Sequence, residues 1–307
     1  MTEDIEITDV NMASPRYLDA TNDVAFKKVF SDKEILKAFL NSMLRLSEGQ
    51  KIEALHFVPQ EEIPDLGQGK RSIFDIKVLD QSGSWYIVEM QNRPDELFLK
   101  RVQVYAESTY SNQTLKGKDY SHVLPVVVVA IVNGVLFPKE VGCISRHTTR
   151  EETTNTQHLF ELSYAFIELG KFIKIEEELE TIEDFWLFYL AESTNIKHPP
   201  TKVKDATILK AYEVLERFNW DEASYDAYFR AKLLADTEKL EIEDAFSKGK
   251  TEGVERGKAE GLEEGAIKGK LEGKLEIAKN LIAKGFDDKA VLELTGLTVQ
   301  EVKKYFP

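Results

Sequence analysis

Across residues 23–46 the apolar positions Val24, Phe26, Val29, Phe30, Ile35, Leu36, Phe39, Leu40, Met43 and Leu44 recur at the three- and four-residue spacing of a helix with one buried face. Ser31 and Asp32 interrupt the run, and either can cap a second helix, so two helices are predicted. The period then changes to two. Residues 52–58, 72–79 and 85–90 read as strands, the first two separated by the polar loop EEIPDLGQGKR and the last two by DQSGS, whose glycine and polar residues suit a tight connection. A helix follows over 94–115, with Leu97, Val102, Tyr105 and Tyr110 as its buried stripe. The run VLPVVVVAIV at 123–132 is apolar at every position and reads as a strand buried on both faces. The resulting order αβββαβ places the chain in the α/β class, with a mixed central sheet and helices on its faces.

Beyond residue 137 the elements are coarser. HTTREETTNTQ at 147–157 reads as a loop, LSYAFIEL at 162–169 as a strand and 176–190 as a helix; HPP at 198–200 breaks the chain before about two further helices over 206–246. Gly249, Gly253, Gly257, Gly261, Gly265, Gly269 and Gly273 then repeat at strict four-residue spacing among charges of both signs. That spacing predicts a helix, solvated and extended or a flexible tether, with self-association through the glycines as the alternative. The segment AVLELTGLTVQEV after it predicts two short helices joined at Thr295-Gly296, the second capped by Thr298. Such a turn resembles a helix-turn-helix, although the few basic residues on its second helix favour a packing hairpin over a DNA reader. The mostly helical C-terminal region therefore divides into 197–247, 248–274 and 275–307, after a loose tail at 1–15 and a main domain at 16–196.

Composition narrows the chemistry. The chain has 307 residues, a net charge of −14 and one cysteine, Cys143. Bulk charge of that sign argues against coating nucleic acid or anionic membrane, and a single thiol excludes an intrachain disulfide framework or a multi-cysteine zinc site. The N-terminus lacks a secretory pattern and no apolar run reaches the ~20 residues of a membrane helix, which together point to a cytoplasmic protein without membrane contact. His56, His122, His147, His158 and His198 show no metal-ligand spacing, and no phosphate-binding loop ends in GK[ST].

The stretch WYIVEMQ ends a strand of high apolar quality in Glu89 and Gln91, which share a face by the period of two. If the preceding strand pairs with it through DQSGS, Asp75 of SIFDIKVLD comes to lie beside Glu89. Two carboxylates at the end of a buried sheet resist ionisation unless a cation neutralises them, and oxygen ligands of this kind suit Mg²⁺ or Mn²⁺. A metal held there activates water for attack on a phosphodiester.

Asp75 followed at thirteen intervening residues by Glu89-Met90-Gln91 resembles the PD-(D/E)XK nuclease motif on its αβββαβ core. More narrowly, TNDVAFKKVFSDKEILKAFLNSML, FDIKVLDQSGSWYIVEMQ and RVQVYAESTYSNQTLKGKDY resemble the recombination-promoting nuclease/transposase family. The resemblance implies a divalent-metal-dependent DNA endonuclease associated with recombination or mobile elements. Asp75 and Glu89 match its metal-binding acids. Gln91 stands where the general motif has lysine, and an amide can hydrogen-bond but cannot supply charge. Lys77, two residues beyond Asp75 on the same strand face, is a candidate for that charge. Asp23 matches an Asn-Asp pair that implies an upstream acid facing the site, against a competing reading as a helix N-cap. Arg101, Tyr105 and Gln113 match the helix after the catalytic strand and are candidate phosphate contacts, with Lys27, Lys28, Lys100, Lys116 and Lys118 as nearby positive charge. The alternative function is a catalytically inactive nuclease-fold protein that binds DNA or assembles through the glycine-repeat helix.

Overall fold

The structure is a computed structural model that describes residues 15–58, 75–92, 97–114 and 119–305. The N-terminal tail up to residue 14, the whole loop EEIPDLGQGKR, the start of the strand expected from 72, Pro94, Lys116 and Lys118 lie outside the described residues.

Helix α1 (Asp23–Phe30) begins at Asn22, whose side chain accepts the N–H groups of Val24 and Ala25. Helix α2 (Lys33–Leu44) begins at Asp32, which accepts those of Glu34 and Ile35. Asn22 is thus the cap of α1, and Asp23, read as a competing cap, is its first helical residue. Ala25, Phe26, Val29, Phe30, Ile35, Leu36, Phe39, Leu40 and Met43 are all buried.

Six strands follow: β1 (Leu55–Phe57), β2 (Ile76–Asp80), β3 (Trp85–Gln91), β4 (Val126–Val132), β5 (Ile144–Thr148) and β6 (Leu162–Glu168). They form one mixed sheet in the order β1-β2-β3-β4-β6-β5. The pairs β1–β2, β2–β3 and β5–β6 are antiparallel, whereas β3–β4 and β4–β6 are parallel. Parallel neighbours need a crossover, and helix α3 (Phe98–Ser111) supplies the one between β3 and β4.

Alternation along the strands builds two cores. Val88, Val129, Ile131 and Ile167 pack under α1, α2, α4 (Ile182–Glu192) and α5 (Ala206–Leu215). Ile87, Val128, Ala130 and Val132 pack under Phe98, Val102 and Ala106 of α3. The stripe of α3 therefore runs through Phe98, Val102 and Ala106, flanked by Tyr105 and Tyr110, while Leu97 is exposed. Two other expectations shift. Residues 147 and 148, read as loop, belong to β5, an edge strand paired on one side only and polar enough to hide its period. The helix expected from 176 starts at Ile182, where Thr181 and Asp184 form a capping box.

By contacts the chain divides into two compact units, Met1–Leu233 and Leu234–Pro307. Helix α6 (Glu222–Ala283) crosses that division without a break for 62 residues, so the boundaries read at 247/248 and 274/275 both fall inside one helix. In the second unit Leu271, Leu275, Ala278 and Leu281 of α6 pack against Val291 of α7 (Asp288–Thr295), Leu297 and Val302 of α8 (Val299–Tyr305). Gly296 ends α7 at φ 62°, and Thr298 exchanges hydrogen bonds with Glu301 to start α8. Among the described residues no helix is long and apolar enough to cross a membrane.

Candidate active site

The hairpin β2–β3 is held in register by its turn. Asp80 Oδ1 accepts Ser82 N–H at 2.8 Å, Ser84 N–H at 3.0 Å and the Ser82 hydroxyl at 2.7 Å, while Tyr86 donates to Oδ2 at 3.1 Å. Gly83 sits at φ 84°, a conformation other residues rarely adopt. Pairing from Leu79↔Trp85 to Ile76↔Val88, continued by one residue, sets Asp75 opposite Glu89. Asp75 Oδ2 closes the end of the pair by accepting Met90 N–H at 2.8 Å. Glu89 and Gln91 share the face of Ile87, beneath α3.

Little water reaches the two acids. Glu89 is 9% exposed, and its Oε1 has no hydrogen-bond partner among the described residues. Burial first, and then the charge of Asp75, push the Glu89 carboxyl up to about 8, against the pull of Lys27 and Arg101. Burial also raises Asp75, partly offset by Met90 N–H and Lys27. A buried carboxylate oxygen without a donor, next to a second acid, is a site short of positive charge. The donor set fits a hard divalent ion: Asp75 and Glu89 would hold it. Among the described residues no group of three or more metal-ligating side chains occurs.

Most of the residues singled out from the sequence converge here. Lys27 lies 3.3 Å from Asp75 Oδ1 and 2.7 Å from Asp23 Oδ1. Burial works against its ammonium, but the hydrogen bonds and charges of the two acids outweigh this and raise its pKa. Arg101 Nη2 donates to Gln91 Oε1 at 3.2 Å. Three candidates are placed elsewhere. Lys77 rests its ammonium 4.4 Å from the ring centroid of Trp85, at the turn end of the hairpin, and burial lowers it to about 8. Tyr105 packs at the edge of the α3 core. Gln113 spends its amide on the backbone of Leu124, donating to the carbonyl and accepting from the N–H, both at 2.9 Å. Among the other lysines, Lys28 lies over Trp220 at 4.2 Å and pairs with Asp221 at 3.8 Å.

Asn92 was not singled out. Its amide donates to the Thr21 carbonyl at 2.9 Å and fastens the end of β3 to the start of α1. The partners are 71 residues apart, so no local spacing announces the contact. Cys143 donates to the Glu168 carbonyl at 3.2 Å, and burial pushes its thiol up to about 11, the opposite of an activated nucleophile.

Comparison with known families gives two matches. Residues 20–245 match the model of the PD-(D/E)XK nuclease family transposase. Residues 271–307, which include the end of α6, match the model of the C-terminal HTH domain of the Rpn/YhgA-like nuclease family, in keeping with the helix-turn-helix resemblance of the turn at Thr295-Gly296. No match is found among curated proteins or solved structures.

Proposed function

The chain belongs to the PD-(D/E)XK nuclease family transposases, within the recombination-promoting nucleases, and on that premise we propose that it is a divalent-metal-dependent DNA endonuclease. The observation that carries this reading is the facing pair Asp75 and Glu89, with one buried Glu89 oxygen left unpartnered. When bound, the divalent ion supplies a Lewis acid that generates hydroxide from water and offsets charge on the phosphodiester. Asp75 and Glu89 would hold such an ion, and burial raises both carboxyls so that they favour their neutral forms while no countercharge is present. Arg101 donates to Gln91 Oε1 and so fixes the orientation of an amide that can hydrogen-bond water but cannot supply charge. The guanidinium also adds positive charge beside a phosphate. The HTH domain supports DNA as the partner and gives a contact that needs no metal.

Supercoiled plasmid incubated with Mg²⁺ or Mn²⁺ tests the reading. Wild type nicks or linearises it, and Asp75→Ala and Glu89→Ala each lose at least ~100-fold of that rate, the scale on which electrostatic groups act in catalysis. Equal cutting by both variants removes the assignment. The place of Gln91 at the motif's lysine position favours one second reading, a catalytically inactive nuclease fold that binds DNA. Metal-independent DNA binding by a wild type that cuts nothing across a broad metal screen selects it.

A further inference from the structure

The strand motif lacks its cation, yet a cation touches the site from another element. Lys27 is the cation seen in contact with a carboxylate of the facing pair among the described residues. It also pairs with Asp23, one turn earlier on the same helix face. The rotation of α1 about its axis is fixed by its Asn22 cap and by Ala25, Phe26, Val29 and Phe30, all buried, so Lys27 is presented to Asp75 by the fold. Lys77 lies with its ammonium over Trp85, at the turn end of the hairpin.

Resting on the nuclease reading above, we propose that Lys27 is the catalytic cation of this site, replacing the lysine that position 91 lacks. Its ammonium holds Asp75 while no metal is bound. With Asp75 engaged by a divalent ion, the ammonium would remain tethered to Asp23 and be released toward the scissile phosphate, which makes Asp23 a positioning residue. The charges suit this exchange. Asp23, Asp75 and Glu89 supply three negative charges when ionised; Lys27, Arg101 and a divalent ion supply four positive ones; a phosphodiester brings the missing negative charge.

The proposal makes two effects of one substitution run in opposite directions. In Lys27→Met the competitor for Asp75 is gone, so Mn²⁺, titrated by electron paramagnetic resonance, binds ~5-fold more tightly or better. The phosphate contact is also gone, so cleavage at saturating Mn²⁺ falls ~100-fold. Lys27→Arg keeps the charge and returns to within ~10-fold of wild type. Asp23→Asn retains metal binding and slows cleavage at saturating Mn²⁺. A merely structural lysine would weaken both metal binding and cleavage. Lys27→Met that cuts at the wild-type rate, or binds Mn²⁺ no more tightly than wild type, overturns the proposal. A wild type that binds Mn²⁺ and cuts nothing overturns the nuclease reading and the phosphate contact with it, whereas an active wild type beside an equally active Lys27→Met overturns only the role given to Lys27.

Discussion

Glu89 combines deep burial, an unpartnered oxygen and an acidic neighbour, and each of these works against its charged form. The unfolded chain releases this proton near 4.5, whereas the fold keeps it up to about 8. Stability without metal therefore falls as pH rises across that window, where the unfolded chain binds fewer protons than the folded one, and levels off at its lowest above it. Glu89→Gln removes the penalty. Its melting temperature without metal exceeds that of wild type at pH above 8, by an amount worth a few kcal/mol at about 1.4 kcal/mol per unit, and its pH slope between those limits is flatter. Added Mg²⁺ raises the wild-type melting temperature and leaves the variant where it was; calorimetry at several pH values with and without metal reads both effects. Gln91 gives a second prediction. Restoring the motif with Gln91→Lys sets an ammonium where Arg101 already donates, so two like charges meet in a half-buried site. Plasmid nicking by Gln91→Lys is expected to drop ~10-fold relative to wild type, where a motif-based argument expects a gain.

The pairing of Asp75 with Glu89 was legible in the sequence because β2, the turn and β3 are local and their register follows from a short, specific loop. Lys27 was legible as nearby charge and Arg101 as a candidate phosphate contact; which acid or amide each meets depends on how α1 and α3 pack on the sheet. The tie from Asn92 to Thr21 was not legible for the same reason, and β5 escaped because one-sided pairing leaves little hydrophobic alternation to read. The glycine repeat shows the limit of propensity in the other direction: α6 stays helical through seven glycines, and a Cβ at any of them would meet nothing within 4 Å. Gly257→Ala should therefore add helix stability of about 0.8–1 kcal/mol, seen as a higher melting temperature of the second unit's ellipticity signal. Gly170→Ala should do the reverse, because a Cβ there would lie 2.8 Å from the Gly134 carbonyl and backbone must move. Thermal melts of the two variants have opposite signs only if close approach, and not glycine content, sets the outcome.

The two cores on the faces of the sheet belong to the first unit and the small core around Val291 to the second, which implies that the two units can lose stability separately. The division also bears on function, since a chain of net charge −14 cannot hold DNA by bulk attraction and must rely on local contacts. If the HTH domain supplies metal-independent contacts and the end of the β2–β3 pair supplies cleavage, damage to one leaves the other measurable. Val291 is fully buried in the small core, so Val291→Asp places an unpaired charge there and destabilises that unit by several kcal/mol. Calorimetry of the full chain should show one transition lowered while the other keeps both its temperature and its rise on adding Mg²⁺. DNA affinity measured without metal should fall at least ~10-fold and show a shallower dependence on salt, as lost phosphate contacts require. Cleavage at saturating DNA should persist, because Asp75, Glu89, Lys27 and Arg101 all belong to the unit whose core is untouched.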